Sequence, residues 1–317
     1  MSASATSGAR WDSAYHAPVL VDEVSSLMRE SRTALDCTLG GGGHSLALLE
    51  SGVEWVTALD RDPDAIAAAR ARLAPYERAG RFRAILGNYA RVDEIAELRE
   101  ARFDGVLLDL GVSSHQIDDP ARGFSFREGA PLDMRMGADA VETAADVLNG
   151  RAERELIWIF KEYADEPRAV RLAREVVRRR QTRAFETSDD LVNAIRAALG
   201  PRSGPADFAR LFQGVRIAVN DELEGLDRAL PRLRDQLEPG GTLAVIAYHS
   251  GEDRRVKLSL REWSAACVCP PRQPVCTCRG RALGKLLARK AITPTADELA
   301  RNPRSRSAKL RAWRKAE

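Results

Sequence analysis

The sequence of 317 residues lacks three features that would place it outside the cytoplasm. It has no run of about 18 apolar residues, the length that a membrane-spanning helix needs. Residues 1–13 are small and polar and contain no apolar signal-peptide core. Its five cysteines are an odd number, and four of them lie between residues 267 and 278, a pattern unlike a secreted disulfide framework. These absences exclude the membrane and secretory classes and predict a cytoplasmic protein.

A large net charge is also lacking, since the formal value is only +3. The basic residues are nevertheless bunched, mostly as arginine, at residues 171–183 and 301–314. Such local basic faces suit a phosphate-bearing partner, although a solvated helix face explains either cluster equally well. The composition, 44% hydrophobic and 30% charged, is that of a soluble globular protein, and the length predicts about two domains.

Strand and helix patterns alternate through the first third of the chain. Residues 1–14 are predicted to be a disordered tail. Strands are then predicted at residues 33–38, 55–59, 81–86 and 103–110, with helical segments between them. Because strands separated by helices of this size form parallel βαβ units, the fold class is predicted to be α/β, with a Rossmann-like doubly wound sheet.

About 120 residues interrupt this alternation, too many for a simple connection. Residues 112–235 are therefore predicted to form an inserted, mainly helical substrate-recognition domain, and residues 15–111 and 236–317 the sheet domain. The insertion should begin with an ordered loop, residues 112–137. Its helices are expected at residues 153–163, 166–180, 188–199 and 207–228, and in the second of these Val170, Ala173 and Val177 should face a core. Beyond it, a strand is expected at 242–248, a helix at 283–290 and a final edge strand at 306–313.

The chemistry is predicted from a glycine-rich turn that follows the first strand. Gly42, Gly43 and His44 lead from strand to helix, and Asp60 ends the second strand about twenty residues later. An acidic residue at this distance accepts hydrogen bonds from ribose hydroxyls in Rossmann-type sites. The dinucleotide fingerprint fails because its third glycine position falls on Ser45, and the P-loop pattern fails because Gly-Lys-Ser/Thr is absent. The turn therefore suits a nucleoside cofactor without a pyrophosphate, for which S-adenosylmethionine is the common choice.

Several further blocks of the sequence carry a family resemblance. They are residues 36–45, 60–63, 108–114, 122–126, 131–136, 212–217 and 302–304. From about residue 15 to residue 311 the chain resembles the ribosomal small subunit methyltransferase H family. The resemblance implies a methyltransferase sheet with a helical insertion, S-adenosylmethionine as cofactor, and methylation of the N4 amine of a cytidine in the decoding region of small-subunit (16S) ribosomal RNA. The partner would be this RNA or the 30S particle.

The resemblance also implies the residues of the site. Cofactor contacts are expected from Gly42, Gly43, His44, Asp60, Tyr89, Asp109 and Gln116. Asp109 is the expected catalytic residue, because the N4 amine is a poor nucleophile and needs an acceptor for its N–H as charge develops. Asp109 could also act only on the cofactor or cap its loop. His249, which closes the fifth strand, could touch the base or a phosphate, or be structural.

Three further alternatives stay open. Phe124, Phe126, Met134 and Met136 could flank a flipped cytosine or form a small core. Cys267, Cys269, Cys276 and Cys278 could bind zinc, but their C-x-C spacing is tighter than usual, so free thiols and no metal are expected. The rival functions are a non-catalytic RNA-binding ribosome-assembly factor and a nucleotide-dependent oxidoreductase.

Overall fold

The computed structural model describes residues 10–13, 17–270, 273 and 275–317. The chain divides into two compact units, Met1–Gly111 with Glu224–Glu317, and Val112–Leu223. None of the helices in the described part of the chain is long and apolar enough to cross a membrane.

The first unit is built on a sheet of seven strands within the described residues, in the order β3-β2-β1-β4-β5-β7-β6. The strands are β1 Thr33–Asp36, β2 Trp55–Asp60, β3 Phe82–Leu86, β4 Phe103–Asp109, β5 Leu237–Ala247, β6 Gly284–Leu286 and β7 Lys309–Lys315. The pairings among β1 to β5 are parallel, whereas β7 runs antiparallel to both β5 and β6. This arrangement confirms the predicted α/β class with a Rossmann-like sheet.

Helices cover both faces of this sheet. They are α1 Val21–Leu27, α2 Gly43–Glu50, α3 Pro63–Arg78, α10 Glu222–Asp235, α11 Ser250–Ser264 and α12 Ala296–Arg301. Successive strand residues point to opposite faces, so Leu107 packs with α1, α2 and α3 while Val106 and Leu108 pack with α10 and α11. Burial on both faces explains why the parallel strands are continuous apolar runs rather than alternating ones.

The strand register brings three carboxylates to one edge of the sheet. Asp36 ends β1, Asp60 ends β2 and Asp109 ends β4. In the parallel register, Asp36 of β1 lies opposite Ala58 of β2 on one side and opposite Leu107 of β4 on the other. Because parallel strands finish on the same side, their carboxyl ends form the crevice in which open α/β sheets bind ligands.

The second unit is helical. Its helices are α4 Ser114–Asp118, α5 Ala144–Gly150, α6 Glu153–Trp158, α7 Ala169–Arg180, α8 Ser188–Leu199 and α9 Pro205–Asn220, with a π-helical turn at Ile159–Tyr163. They enclose a core of their own, to which α9 contributes Phe208, Leu211 and Val215. Residues 112–137, which were predicted to form an ordered loop, contain one short helix, α4, and a 3-10 turn, Pro120–Arg122.

The single helix predicted at residues 207–228 is wrong, because two helices meet there. Asp221 has a φ of 53°, in the left-handed region, and separates α9 from α10. Asn220 stabilises the break: its side-chain amide donates to the carbonyls of Met134 and Arg216 and accepts from the Met136 N–H. An Asn-Asp pair tolerates this conformation better than most residues, so the break had a local signal.

The predicted core face of α7 was partly wrong. Val170 is 45% exposed, whereas the core side of the helix is formed by Ala169, Leu172, Ala173 and Val176. Val170, Ala173 and Val177 follow the helical repeat of 3.6 residues, but the core side of α7 is centred near Leu172 and Val176, so Val170 lies outside it and Val177 at its border.

Two predictions near the end of the chain were wrong. Residues 284–286 form strand β6 instead of a helix, and β7 lies between β5 and β6 instead of at the edge. A Cβ on Gly284 would stand 2.1 Å from the carbonyl oxygen of Arg314, so only glycine allows β6 to pair this closely with β7. The leucine spacing at residues 283–287 is typical of a helix. The strand that pairs with β6 is distant in the chain, so the local sequence does not indicate a strand here.

The predicted bounds of the insertion and of the disordered tail differ from those in the structure. Residues 224–235, assigned to the insertion, belong to the first unit because Leu226, Leu230 and Leu233 of α10 pack with the sheet. Of the predicted disordered tail, residues 10–13 are described and ordered: Trp11 Nε1 donates to Glu50 at 2.8 Å. The rest of residues 1–14 lies outside the described residues.

Candidate active site

The glycine turn joins β1 to α2 with a sharply bent backbone. Gly40 and Gly42 have φ values of 50° and 76°, which favour glycine. A Cβ on Gly42 would press on Leu73 at 3.1 Å, and one on Gly43 would overlap Pro18 at 2.9 Å. A Cβ on Gly40, by contrast, would meet nothing within 4 Å. The turn is thus packed against the protein behind Gly42 and Gly43 and open beside Gly40.

Asp60 ties this turn to the end of β2. Its Oδ2 accepts the Gly40 N–H at 2.8 Å, and its Oδ1 accepts the Asp62 N–H at 2.9 Å. Burial raises the pKa of Asp60 from 3.8 to about 6, although these two hydrogen bonds favour the ionised form. The side chain is only half-buried, so a carboxylate with about four acceptor positions remains able to take further hydrogen bonds.

A buried carboxylate, Asp36, fixes the start of α2. The Ser45 hydroxyl donates to Asp36 Oδ2 at 2.7 Å, and burial raises the pKa of Asp36 above its usual value. Ser45 occupies the position at which a dinucleotide fingerprint has its third glycine. Here the helix is therefore held to β1 by a hydrogen bond instead of by close glycine packing.

His44 lies between Val19, just before α1, and Asp109. Its Nε2 is 3.0 Å from the carbonyl oxygen of Val19, and because a carbonyl only accepts, this nitrogen carries a proton. Its Nδ1 lies 3.6 Å from Asp109 Oδ2. The ring is buried, with 5% exposure. His44 thus connects the chain just before α1 with the carboxylate that ends β4.

Asp109 is positioned by two hydroxyl groups. Its N–H donates to the Thr38 hydroxyl at 2.7 Å, and its Oδ1 accepts the Tyr248 phenol at 2.9 Å. Burial, followed by the nearby Asp109 charge, raises the pKa of Tyr248 well above 10, so the phenol remains a donor. The result is a carboxylate held at the end of β4, beside the glycine turn.

Tyr89 begins the 3-10 turn that follows β3. Asn88 caps this turn by accepting the Ala90 N–H at 2.9 Å, and the half-buried Tyr89 ring packs against the core below. The Gly87 N–H donates to the Asp60 carbonyl at 2.8 Å. Tyr89 therefore belongs to the same edge of the sheet as Asp60, as its position after a strand predicted.

Gln116 and His249 both have defined structural contacts. Gln116, in the second unit, closes a capping box on α4: its side-chain oxygen accepts the Ser113 N–H at 3.0 Å. His249 is the N-cap of α11, where its Nδ1 accepts the Gly251 N–H at 3.2 Å and its Nε2 lies 3.2 Å from Glu252. The structural interpretation of His249 is thus supported, whereas the cofactor contact of Gln116 stays a prediction.

The residues of the first unit fit the predicted nucleoside cofactor. Asp60 offers an acceptor for ribose hydroxyls, Gly40 leaves open space beside the turn, and α2 begins immediately after it. These donors and acceptors match a ribose and an uncharged base better than a pyrophosphate, for which the turn carries no lysine.

Comparison with known proteins supplies the family. A family profile described as "MraW methylase family" matches residues 13–316. Relatives called ribosomal RNA small subunit methyltransferase H occur in Gemmatimonas aurantiaca, with 64% identity over 95% of this chain and 96% of the relative. Those in Heliobacterium mobile and Anaeromyxobacter dehalogenans have 44% and 46% identity, each over 95% of this chain and 99% and 97% of the relative.

The chain belongs to the MraW methylase family. It is therefore a methyltransferase, and S-adenosylmethionine is its cofactor. Family membership confirms the resemblance found in the sequence and decides against a nucleotide-dependent oxidoreductase.

Four residues at this site were not predicted from the sequence. They are Asp36, Thr38, Ser45 and Tyr248. Tyr248 had a usable signal, because it directly follows β5 at the same edge as Asp109. The contact between Asp36 and Ser45 had none, since it depends on how α2 docks.

In the second unit, the aromatic and methionine residues after α4 are mostly core. Met134 and Met136 are buried, at 1% and 7% exposure, and Phe124 packs against the same core. Phe126 is 37% exposed and makes edge contacts with Phe208 and Phe212 at 5.8 and 6.1 Å. Only Phe126 of the four keeps a substantially exposed ring for a base.

The arginine face of α7 lines an open groove of about 590 Å³ in the second unit. Arg168, Arg171, Arg174 and Arg178 border it. Arg178 and Arg179 bond to Glu175 and lower its pKa to about 2. Arg171 donates to the neutral Ala197 carbonyl at 3.4 Å, and Arg174 approaches Glu153 at 3.4 Å. The four guanidinium groups outnumber the three carboxylates that they approach, Glu153, Glu166 and Glu175, so this groove keeps an excess of positive charge.

Proposed function

We propose that this methyltransferase transfers a methyl group to the N4 amine of a cytidine in the decoding region of small-subunit ribosomal RNA. The observation that carries the proposal is the Asp109 carboxylate, held at the end of β4 by Thr38 and by Tyr248 at 2.9 Å. The names of the relatives, with up to 64% identity among those above, support ribosomal RNA as the substrate class.

Asp109 would orient the amine. The N4 lone pair is delocalised into the cytosine ring, so the nitrogen must be aligned with the methyl group and its N–H must meet an acceptor. When bound, S-adenosylmethionine supplies an electrophilic methyl group on a sulfonium. Tyr248 fixes one oxygen of Asp109, and because a carboxylate has about four acceptor positions, the same group would also accept from the amine.

A covalent cysteine route is disfavoured at this edge of the sheet. Methyl transfer to C5 of a pyrimidine requires an activated thiolate. Cys37, which follows β1, is buried at 2% exposure, and burial raises the pKa of its thiol well above 9. A thiol held neutral in this way cannot act as the nucleophile, which favours direct transfer to an amine.

The second unit would recognise the substrate through its arginine groove. Guanidinium groups bind phosphates in bidentate geometry, and such contacts fix the position of an RNA without reading its sequence. Arg171 and Arg174, which are exposed on α7, are the best candidates. The proposal covers both naked small-subunit RNA and the assembled 30S particle as substrates. It places the reaction in the cytoplasm.

Incubation of the protein with radiolabelled S-adenosylmethionine tests the proposal. Small-subunit RNA and 30S particles, each lacking the modification, serve as substrates in parallel. We expect label in RNA with the wild type and none with Asp109→Ala, while Asp235→Ala, which removes an exposed carboxylate at the end of α10, keeps wild-type transfer. Full activity of Asp109→Ala would remove this residue from catalysis, and no transfer to either substrate would favour a non-catalytic assembly factor.

A further inference from the structure

Four of the five cysteines meet in the segment between α11 and β6, outside the site described above. They are Cys267, Cys269, Cys276 and Cys278, and their Sγ atoms all lie within 4.8 Å of one another. The fifth, Cys37, is buried beside β1. All four cluster members are free thiols in the structure. All four cysteines outside the core therefore converge on one point.

The sulfur separations have the size of a metal site. Cys276 lies 3.8, 3.9 and 3.5 Å from the Sγ atoms of Cys267, Cys269 and Cys278, and Cys278 lies 3.9 Å from Cys267. Four sulfurs around a tetrahedral zinc ion, each at about 2.3 Å, stand about 3.8 Å apart. A disulfide would instead bring one pair to about 2.0 Å. The observed tetrad therefore leaves room for one ion at its centre.

The surrounding chain holds the tetrad in place. The Val268 N–H donates to Cys278 Sγ at 3.3 Å, which links the two C-x-C pairs and lends a donor to a thiolate. The Gln273 amide donates to the Val275 carbonyl and the Thr277 hydroxyl at 3.0 and 2.8 Å, and so closes the loop between the pairs. Such outer hydrogen bonds orient metal ligands and tune their charge.

A second anchor joins the tetrad to the rest of the first unit. The Arg279 guanidinium donates to the carbonyls of Glu262 and Ala265 at the end of α11. The Leu283 N–H then donates to the Trp263 carbonyl at 2.8 Å, just before β6. The cysteines are thus fixed at both ends, one against α11 and the other against the sheet.

We propose that these four cysteines bind one zinc ion as a closed, structural site. Thiolates are soft ligands that favour zinc among the divalent ions available to proteins, and four of them leave no open position for substrate. The C-x-C spacing, which favoured free thiols in the sequence, is accommodated because the two pairs approach from opposite ends of one loop. Zinc would clamp this loop and support the pairing of β6 with β7.

Metal analysis of the whole protein tests the proposal. The full chain is purified under reducing conditions without chelators, and its metals are measured by atomic emission. We expect one zinc per chain in the wild type, background zinc in the double variant Cys276→Ser/Cys278→Ser, and undiminished zinc in Cys37→Ala. The Cys37 variant is the matched control because it removes a thiol outside the tetrad.

Cobalt titration keeps the test decisive if the double variant fails to fold. Wild-type protein stripped of metal should bind one Co²⁺ and show the absorption bands of a tetrahedral four-thiolate complex, and zinc should displace it. Wild-type protein with neither zinc nor cobalt binding would overturn the proposal. So would iron or copper as the resident metal, or full zinc content in a folded double variant.

Discussion

Asp60 should make cofactor binding depend on pH in the range between 5 and 7. Burial raises its pKa from 3.8 to about 6, and only the ionised carboxylate can accept from the Gly40 and Asp62 N–H groups and from ribose hydroxyls together. The perturbation is Asp60→Asn, which keeps the size of the side chain and removes its titration. Asp64→Asn, an exposed carboxylate in the first turn of α3, is the control for loss of one negative charge.

The expected magnitude follows from the ionised fraction of Asp60. With a pKa of about 6, this fraction falls about tenfold from pH 7 to pH 5, and the apparent affinity falls by the same factor if only the ionised form binds. The same shift affects stability. Because the folded pKa is raised, Asp60 contributes stability below pH 3.8 that is lost as the pH rises through 6, at most about 3 kcal/mol.

Calorimetric titration with S-adenosylhomocysteine, the demethylated product, checks this prediction. The Kd of the wild type and of Asp64→Asn should weaken about tenfold from pH 7 to pH 5. The Kd of Asp60→Asn should be weaker at pH 7 and nearly flat over the range. An unchanged wild-type Kd, or the same pH profile in Asp60→Asn, would refute the role given to this carboxylate.

Three further predictions concern single side chains. Tyr248→Phe removes the hydrogen bond to Asp109 and should lower the free energy of unfolding by about 1.5–3 kcal/mol, measured by urea denaturation, and also reduce kcat. Gly42→Ala forces a Cβ into the left-handed region and should cost at least about 1–2 kcal/mol and weaken cofactor binding, whereas Gly150→Ala should cost nothing, since its Cβ would stand in open space. Arg174→Ala should weaken RNA binding and reduce the dependence of log K on log salt by about 0.7–0.9, measured by fluorescence titration.

Each of these predictions can fail in a distinct way. Wild-type stability and kcat in Tyr248→Phe would mean that the phenol does not position Asp109. Equal stability of Gly42→Ala and Gly150→Ala would remove the backbone argument. For Arg174→Ala, the control is Arg78→Ala, an exposed arginine at the end of α3. An equal loss of RNA affinity in both variants would show a general charge effect instead of a groove.

The sheet and most of the site were predictable because local patterns determine them. Asp60 and Asp109 were found by applying one rule, that ligands bind at the carboxyl ends of parallel strands, to apolar runs that are easy to recognise. Helix α8 was predicted with its observed ends, Ser188–Leu199, and a local capping box between Thr187 and Asp190 determines where it begins.

The errors occurred where a distant contact decides the local conformation. β6 exists because Gly284 lets it approach Trp313 and Arg314, some thirty residues later in the chain. The bond from Ser45 to Asp36 likewise depends on docking of α2. The convergence of the cysteines could not be read from spacing alone, since it depends on how the loop around Gln273 closes.

The most direct test of the account is the identity of the methylated nucleoside. Small-subunit RNA or 30S particles lacking the modification are incubated with the protein and S-adenosylmethionine, digested to nucleosides and analysed by mass spectrometry against standards. The account predicts N4-methylcytidine with the wild type and its absence with Asp109→Ala. Methyl groups on C5 of cytidine, or on another base, would contradict it.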